Sequence, residues 1–594
     1  MGITNFCLVC SGSSCEADKA DAIYNNLVSA TDAAGIAQDA QIVKTGCFGI
    51  CGKGPIVKVL PDEAFYVGVN PEDAEKIVNE HLAKGKIVKS LLYKEKGSDK
   101  SDTSQIKSYQ KQLRLVLRNC GVIDPESINE YIARQGYAAL EKVLFEMSSQ
   151  DVLDELKTAG LRGRGGAGFP TWLKWKFTFD VDSDQKHIVC NADEGDPGAY
   201  MDRSTLEGDP HSIIEAMIIA AKTVNANHGV IYIRAEYPLA IERLEIALGQ
   251  AREYGLLGKD ILESGFDFDI EVRLGAGAFV CGEETALLAS TEGNRGMPIP
   301  KPPFPAVKGF LEQPTVINNV ETFANIPLII DKGGKWFKSI GTEKSPGTKV
   351  FALTGKIENS GLVEVPMGTT LREIIYDVGG GIRGGKEFKA VQTGGPSGGV
   401  ITKDYLDTPI DFDHLTAIGS MMGSGGMIVM DEDDCIVDVT KFYMEFCVDE
   451  SCGKCAPCRI GTRRMYQTLR RITMGRGKME DIDSLRKIGF ATQKASLCGL
   501  GQTAGNPILS TLNYFENEYI EHIRDKKCQS GKCKALVKYT IDAEKCIGCT
   551  VCARKCPVPC IAGERKIPHV IDQAKCVKCG ACYDACKFGA VIVA

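Results

Sequence analysis

The 594-residue sequence has no apolar run that approaches the roughly 20 residues needed to span a bilayer. It has no excess of basic charge either, because 70 Lys and Arg residues are outnumbered by 77 Asp and Glu residues. This balance excludes a general surface for nucleic acid or anionic lipid. The first residues, MGITNF, carry no charged-then-apolar signal segment. We therefore expect a cytoplasmic protein with neither nucleic-acid nor membrane partners.

Cysteine is the residue type in excess, with 25 in the chain. Without a secretory signal, this density of thiols indicates metal ligation rather than a disulfide framework. Hydrophobic residues at 44% and charged residues at 25% are typical of globular proteins, and the length exceeds what one hydrophobic core supports. The composition therefore predicts a globular, metal-binding protein of several domains.

Periodicity and composition divide the chain into seven segments. Short apolar strands that alternate with helical segments predict α/β domains near the N-terminus and in the centre. A polar stretch, KEKGSDKSDTSQ, predicts a linker after the first domain. The segments are an α/β domain at 1–92, a linker at 93–106, an α/β domain at 107–340, a β-grasp-like insert at 341–432, a helical domain at 433–525, a connector at 526–537 and a cysteine-rich domain at 538–594.

Two copies of the spacing C-x2-C-x2-C-x3-C lie near the C-terminus. Such short loops let three thiolates surround one [4Fe–4S] cubane while the fourth reaches the other cluster, so we expect Cys586 to complete the first set and Cys556 the second. Residues 526–594 hold 13 basic and 5 acidic residues, which suits docking of an acidic electron carrier or a plain solvated face. The predicted ligands are Cys546, Cys549, Cys552 and Cys556, and Cys576, Cys579, Cys582 and Cys586.

Two further groups of four cysteines have the spacing of metal ligands. A C-x2-C-x2-C triplet with a remote cysteine in SLCGLG indicates another [4Fe–4S] cluster, with a zinc site as the alternative. Near the N-terminus, a C-x4-C pair and a C-x3-C pair fit either a [2Fe–2S] cluster or a zinc site. The residues are Cys452, Cys455, Cys458 and Cys498 in the first group, and Cys10, Cys15, Cys47 and Cys51 in the second.

Cys528 and Cys533 follow His522 closely and precede the last cysteine motifs. Two thiols and an imidazole predict a structural zinc site in the connector, for which His569 or Cys560 offers a fourth ligand. Unpaired surface thiols are the alternative. The other cysteines outside the cluster motifs are expected to be inert core residues, and they are Cys7, Cys120, Cys190, Cys281, Cys435 and Cys447.

A glycine-rich segment, GRGGAGFPTWLKW, contains a G-x-G-x-x-G pattern but follows a helical run, so it is a weak dinucleotide fingerprint. Arg162 and Arg164 beside backbone amides, followed by Lys174, suit a phosphate and a flavin or nucleotide ring, and a bare flexible loop is the alternative. In CGEETALLAS, Glu283 and Glu284 suit ribose hydroxyls or merely the cap of a helix.

Six segments stand in an order that resembles one family. They are GRGGAGFPTWLKW, CNADEGDPGAY, GAGAFVCGEETALL, KPPFP, TVINNVET and ESCGKCAPCR with the later SLCGLG. Over nearly the whole chain, the sequence resembles the flavin-bearing NADH-binding subunit of respiratory complex I and its soluble relatives. The N-terminal domain resembles the thioredoxin-like domain of the partner subunit, and this resemblance implies a [2Fe–2S] cluster there.

The resemblance implies a Rossmann-like α/β core, an SLBB insert, a helical bundle and a two-cluster ferredoxin domain. It also implies that NAD stacks over FMN and exchanges hydride with it, without a catalytic acid or base. Phe279 and Asp196 depart from the family pattern, which has Tyr and often Glu at these positions. The implied FMN contacts are Gly163, Arg164, Gly165, Gly166, Lys174, Asn191, Asp193, Glu194, Gly282, Glu283, Asn318 and Asn319, and the implied NAD contacts are Phe169, Phe177, Glu284, Lys301 and Phe304.

The fused cluster domains at both ends resemble the diaphorase (beta) subunits of multimeric electron-bifurcating [FeFe]-hydrogenases. This resemblance implies three [4Fe–4S] clusters and one [2Fe–2S] cluster beside FMN and NAD. It implies a catalytic [FeFe]-hydrogenase subunit, a small [2Fe–2S] subunit and soluble ferredoxin as partners. The alternative is the flavin subunit of an NAD(P)-linked formate dehydrogenase or of a non-bifurcating hydrogenase.

Overall fold

The computed structural model describes residues 3–17, 19–94 and 107–593. Apart from its first two residues, the linker predicted at 93–106 lies outside the described residues. The chain divides into two compact units, Met1–Lys386 with Val391–Val429 and Glu387–Ala390 with Met430–Ala594. Among the helices of the described ranges, none has both the length and the apolar character needed to cross a membrane.

The first unit begins with a small α/β domain. Its elements are β1 (Asn5–Cys10), α1 (Ser13–Ala17), α2 (Ala20–Ala33), β2 (Ala40–Thr45), β3 (Ile56–Leu60), β4 (Ala64–Val67) and α3 (Asp73–Lys76). The sheet order is β2-β1-β3-β4, with β1 parallel to β2 and antiparallel to β3. Ile23 and Leu27 lie one turn apart on α2 and share a buried core with Val9 and Val57. This is the expected thioredoxin-like arrangement.

The central part of the first unit holds a four-stranded sheet flanked by helices. Its elements are α4 (Lys107–Gln110), α5 (Ile128–Ala133), α6 (Ala138–Phe145), α7 (Ser149–Ala159), α8 (Thr171–Phe179), β5 (His187–Ala192), α9 (Met201–Gly208), α10 (Pro210–Val224), β6 (His228–Arg234), α11 (Pro238–Glu253), β7 (Asp269–Gly275), α12 (Glu284–Thr291), β8 (Thr315–Asn319), α13 (Val320–Ala324), α14 (Ile326–Lys332) and α15 (Gly334–Lys338). Almost every residue of α10 is buried, which agrees with its nearly continuous apolar sequence.

All neighbouring strands of this central sheet are parallel, in the order β7-β6-β5-β8. From β5 the chain proceeds to β6 and β7 on one side, and it then returns to β8 on the other side. The crevice outside the carboxyl ends of β5 and β8 is therefore a topological switch point, where open α/β sheets bind their ligands. Asn191 lies near the end of β5, and Asn318 and Asn319 end β8.

A β-rich insert follows, as the sequence predicted. Its elements are β9 (Thr348–Gly355), β10 (Gly361–Pro366), β11 (Phe388–Thr393), β12 (Gly399–Thr402), α16 (Phe412–Ala417) and β13 (Gly426–Asp431). The five strands have the order β10-β9-β13-β11-β12, in which β9 is antiparallel to β10 and parallel to β13. The predicted helix in LREIIYDVG corresponds to a short helical segment at Glu373–Val378.

The second unit combines a helical bundle with a small cysteine-rich domain. The bundle contains α17 (Ile436–Asp449), α18 (Ala456–Thr473), α19 (Glu480–Ala495), α20 (Gly499–Thr503), α21 (Asn506–Tyr514) and α22 (Glu516–Ile520). The small domain contains β14 (Tyr539–Ile541), α23 (Val551–Lys555), β15 (Ile561–Ala562), β16 (Val570–Ile571), α24 (Ala581–Ala585) and β17 (Val591–Val593). β14 pairs with β17 and β15 pairs with β16, both antiparallel.

A buried carboxylate ties the start of the central part to the β-rich insert. Glu364 on β10 accepts hydrogen bonds at 2.9 Å from the backbone N–H groups of Leu115, Val116 and Leu117. Its carboxylate also accepts a hydrogen bond from the Thr348 hydroxyl at 2.5 Å. Because these donors are buried, removal of the carboxylate leaves several of them without a partner.

We expect Glu364→Ala to destabilise the first unit by about 2–4 kcal/mol, because unsatisfied buried amides carry a desolvation penalty. The measurement is hydrogen–deuterium exchange, in which the amides of residues 115–117 should lose protection, together with a lower apparent melting temperature. Glu343→Ala, at an exposed position nearby in the chain, is the control and should change neither. Unchanged protection at residues 115–117 would contradict the role given to Glu364.

Candidate functional site

Two asparagines at the switch point hold the neighbouring loops in place. The Asn191 side chain donates a hydrogen bond at 2.9 Å to the carbonyl oxygen of Gly282, just before α12. The Trp175 indole N–H on α8 donates at 2.8 Å to the side-chain oxygen of Asn318. These contacts bring the strand ends, α8 and the segment before α12 to one crevice.

The glycine-rich loop between α7 and α8 packs closely against this crevice. A Cβ atom at Gly165 would lie 3.1 Å from Cβ of Asn319, and one at Gly166 would lie 3.2 Å from the backbone of Gly423. Gly166 also has a φ of +124°, which disfavours any residue with a side chain. The glycines therefore allow the loop backbone to approach β8. Two amides of the loop already have partners, because Gly163 donates to the carbonyl oxygen of Phe169 and Arg164 to the Thr322 hydroxyl, both at 2.8 Å.

Arg164 plays a different part from the one expected. Its side chain is buried, and its guanidinium donates to the carbonyl oxygens of Thr348 at 3.0 Å, Pro346 at 2.6 Å and Arg162 at 2.8 Å. The guanidinium thus anchors the loop to β9 and has no exposed surface for a phosphate, which corrects the expectation from the sequence. The backbone N–H of Arg164 is also engaged within the protein, because it donates to the Thr322 hydroxyl at 2.8 Å.

A cluster of alternating charges lines the crevice beside α12. Lys301 lies 2.6 Å from Glu284 and 3.1 Å from Glu283, and Lys174 lies 3.6 Å from Glu284. Burial alone would raise the pKa of Glu284, but Lys174 and Lys301 hold it below its usual range. Glu283 accepts hydrogen bonds from the first amides of α12 and so caps the helix, whereas Glu284 faces the two lysines. The sequence alone left open whether Glu283 and Glu284 bind ribose hydroxyls or cap a helix.

Three phenyl rings flank these charges and are unusually exposed. Phe169, Phe177 and Phe304 expose 43%, 47% and 56% of their surface. Phe169 and Phe177 bracket Lys174 in the chain, and Phe304 follows Lys301. Exposed aromatic faces beside carboxylates and ammonium groups suit a ligand that has a flat ring and polar sugars.

Acidic side chains gather in the segment after β5. Glu194 accepts hydrogen bonds from the backbone N–H groups of Asp202 and Arg203 and so caps α9. Burial raises the pKa of Glu194 to about 7, and burial together with Glu194 raises that of Asp202 well above its usual range. Burial also raises the pKa of Asp196 to about 6. The Asn319 side chain donates to Asp202 at 2.5 Å, so this acidic group reaches the crevice.

The four N-terminal cysteines line one cavity at the end of β1, in α1 and in the loop after β2. Their thiols interact in a chain from Cys15 through Cys10 and Cys47 to Cys51. The cavity wall also includes Tyr200, Arg203 and Glu207 of the central part. The Tyr200 hydroxyl lies 3.1 Å from the Cys51 sulfur, a contact that sequence spacing gave no means to foresee.

The helical bundle brings the next four cysteines together. Cys452 precedes α18, Cys455 and Cys458 lie at its start, and Cys498 precedes α20. Burial raises the pKa of the Cys458 thiol to about 11, and the other three thiols of the group add to this shift. Four thiols that interact electrostatically at the ends of two helices suit one cluster.

The C-terminal domain contains two cavities, and the motifs cross between them. One cavity is lined by Cys546, Cys549, Cys552 and Cys586, and the other is lined by Cys556, Cys576, Cys579 and Cys582. His569 lines the first of these cavities and Cys560 lines the second. The structure thus gathers each set of four that the sequence predicted.

A further group joins Cys435 to His522, Cys528 and Cys533, with ligand atoms all within 4.8 Å of one another. The Cys435 sulfur lies 3.2 Å from Nε2 of His522 and 3.8 Å from the Cys533 sulfur. This corrects two expectations, because Cys435 is not an isolated core thiol and neither His569 nor Cys560 belongs to the group. Cys435 lies 87 residues before His522, so no local spacing could connect them.

Comparisons with known proteins agree with these sites. Residues 156–328 match the Nuo51 FMN-binding domain, residues 438–522 the NADH-ubiquinone oxidoreductase-F iron-sulfur binding region, residues 350–401 the SLBB domain and residues 569–592 a 4Fe-4S binding domain. These matches confirm the expected flavin-binding core, the SLBB insert and the C-terminal ferredoxin-like region.

Relatives match over most of their length. The NADP-reducing hydrogenase subunit HndC of Solidesulfovibrio fructosivorans is 61% identical, over 81% of this chain and 98% of its own. An NADH-quinone oxidoreductase subunit of Rhizobium meliloti is 44% identical, over 70% of this chain and 98% of its own. A crystal structure of an NAD+-reducing [NiFe]-hydrogenase in the H2-reduced state has a similar fold, with a TM-score of 0.62, 28% identity and coverage of 88% of this chain and 85% of that one. The chain therefore belongs to the family of NADH-binding flavin and iron–sulfur subunits that occur in hydrogenases and in complex I, and it is an oxidoreductase.

Proposed function

We propose that this chain is the NAD(H)-linked flavin subunit of a multimeric electron-bifurcating [FeFe]-hydrogenase, which shares electrons between NAD and ferredoxin. The observation that carries the proposal is the presence of four cysteine groups together with the flavin crevice in one chain. The similarity to the hydrogenase subunit HndC over 98% of its length supports a hydrogenase partner. The basic C-terminal domain supports docking of an acidic ferredoxin.

In the crevice, the residues hold and orient the reactants. We assign the phosphate of FMN to the amides of the glycine-rich loop, and the flavin ring to the surface formed by Asn191, Asn319 and Gly282. When bound, FMN accepts a hydride and releases electrons singly. The rings of NAD are assigned to the exposed phenyl groups of Phe169, Phe177 and Phe304. The polar groups of NAD are assigned to Glu284 and Lys301. Hydride exchange between NAD and the flavin needs no side chain as an acid or base.

The cysteine groups fit one [2Fe–2S] cluster in the N-terminal domain, one [4Fe–4S] cluster in the bundle and two in the C-terminal domain. In each group, at least one thiol is buried and the four side chains share a cavity or interact electrostatically. Full loading corresponds to about 14 iron atoms per chain by the usual cluster stoichiometry.

The fifth group fits a structural zinc ion. Three thiols and one imidazole, all buried, are a common tetrahedral ligand set for Zn²⁺. Nδ1 of His522 lies 2.7 Å from the carbonyl oxygen of Glu518, to which its N–H donates a hydrogen bond. This hydrogen bond leaves Nε2 unprotonated on the side of Cys435, as a metal ligand requires.

We expect metal analysis to give about one zinc per chain, and Cys435→Ser to lose most of it while the iron content stays unchanged. The control is Cys447→Ser, which removes a buried thiol of the same bundle outside the group and should keep the zinc. If protein purified without chelators contains no zinc, the assignment fails.

For the nucleotide, we expect Lys301→Ala to raise the KM for NADH about five- to tenfold and to change kcat little, because it removes a contact made equally in the ground and transition states. The assay follows NADH-dependent reduction of a viologen dye. Lys308→Ala is the matched control, since Lys308 is exposed and pairs with Glu312 away from the charged cluster. An unchanged KM would remove Lys301 from the nucleotide site.

The coupled reaction is tested with the native complex, purified without oxygen and supplied with H2. We expect NAD to be reduced only when oxidised ferredoxin is present and is reduced alongside it. Reduction of NAD without ferredoxin would instead identify a simple NAD-linked hydrogenase. If H2 reduces neither acceptor, the partner is another dehydrogenase, such as one for formate.

A further inference from the structure

We propose that Tyr200, a residue of the flavin-binding part, sets the reduction potential of the N-terminal [2Fe–2S] cluster by donating a hydrogen bond to the Cys51 thiolate. The inference rests on the proposed cluster at Cys10, Cys15, Cys47 and Cys51. The Tyr200 hydroxyl oxygen lies 3.1 Å from the Cys51 sulfur and lines the same cavity as the four thiols.

The direction of this hydrogen bond follows from the chemistry of its two partners. A cysteine that ligates iron is a thiolate and has no proton to donate. A phenol is protonated at neutral pH, since its ordinary pKa is about 10. In the loaded protein, Tyr200 is therefore the donor and Cys51 the acceptor.

Tyr200 differs in kind from the other donors at this site. The Cys47 sulfur accepts a hydrogen bond from the backbone N–H of Gly49 at 3.3 Å, and the Cys10 sulfur accepts one from the backbone N–H of Gly12. Both donors belong to the N-terminal domain and form part of the ligand loops. The Tyr200 hydroxyl is a side-chain donor from outside that domain, so substitution removes it without altering the loops.

The tyrosine is held firmly in its position. The Arg203 guanidinium lies 5.6 Å from the Tyr200 ring centre and 5.4 Å from that of Tyr237, so it contacts both rings. Arg203 is also 3.7 Å from Glu207, which accepts a hydrogen bond from the backbone N–H of Ser13 in the N-terminal domain.

Tyr200 is also connected to the flavin crevice through the backbone. It immediately precedes α9, and the first amides of that helix bind the Glu194 carboxylate. The Tyr237 hydroxyl donates to the carbonyl oxygen of Glu194 at 3.0 Å. The segment that forms one wall of the crevice thus places the hydroxyl on the cluster ligand.

The expected effect on the cluster has a definite sign. Reduction adds negative charge that spreads onto the sulfur ligands, and a hydrogen bond to a sulfur stabilises the reduced state more than the oxidised state. The hydrogen bond therefore raises the reduction potential. Its loss makes the [2Fe–2S] cluster harder to reduce.

The experiment is a redox titration of the full chain, followed by EPR at temperatures where the [2Fe–2S] signal is separated from the faster-relaxing [4Fe–4S] signals. Tyr200→Phe is expected to shift the [2Fe–2S] midpoint to more negative potential and to leave the iron content and the [4Fe–4S] midpoints unchanged. Electron–nuclear double resonance in D2O should show one fewer exchangeable proton coupled to the cluster than in the wild type.

Tyr109→Phe is the matched control. The Tyr109 hydroxyl donates to the carbonyl oxygen of Phe48 at 2.7 Å, in the same ligand loop but not to a sulfur. Tyr109→Phe should therefore leave the [2Fe–2S] midpoint potential unchanged.

A second variant, Arg203→Lys, keeps the positive charge but loses the planar contact with the Tyr200 ring. It should shift the [2Fe–2S] midpoint to more negative potential by less than Tyr200→Phe does.

The outcomes separate this inference from the function on which it rests. If the wild-type chain shows no [2Fe–2S] signal, the N-terminal cluster assignment and the inference both fall. If the signal is present and Tyr200→Phe leaves its midpoint unchanged, or if Tyr109→Phe shifts it equally, only the role of Tyr200 is overturned.

Discussion

The parallel pairing of β5 with β8 is the constraint on which the flavin crevice depends. Its register places Asn191 opposite Asn319, although 128 positions separate them in the chain. Because side chains alternate along a strand, a slip of β8 by one residue would turn the Asn319 amide to the other face of the sheet. The loop before α8, the segment before α12 and the acidic segment after β5 are all positioned by contacts with these two strand ends.

The burial of several acids beside this crevice has a local cause. Glu194 caps α9 with both carboxylate oxygens, and Asp202 stands on the first turn of the same helix. Both carboxyls are buried, so they share less than two full negative charges near neutral pH. The crevice therefore presents a mixture of neutral and charged acids to an anionic cofactor, which limits electrostatic repulsion.

Local features of the chain, and the long-range groupings that known cysteine motifs encode, were predictable from the sequence, whereas other long-range contacts were not. The four cysteine groups follow from short spacings or from the family's order of motifs, and the alternation of strands and helices predicted the layered core. Cys435 and Tyr200 carry no local signal, because their partners lie far away in the chain and meet them only through packing. Arg164 shows the opposite error. Its position in a glycine-rich loop predicted a contact with a ligand, but tertiary packing buries its side chain against backbone carbonyl groups.

The crossing of the two C-terminal cysteine motifs also bears on how the protein matures. Each cavity takes its fourth thiol from the motif that supplies three thiols to the other, Cys586 in one case and Cys556 in the other. A chain that has received iron at only one cavity therefore already has both motifs tied together. With clusters bound as proposed, we expect insertion of the first cluster to draw the second set of ligands into place, so that assembly at this end of the chain is cooperative.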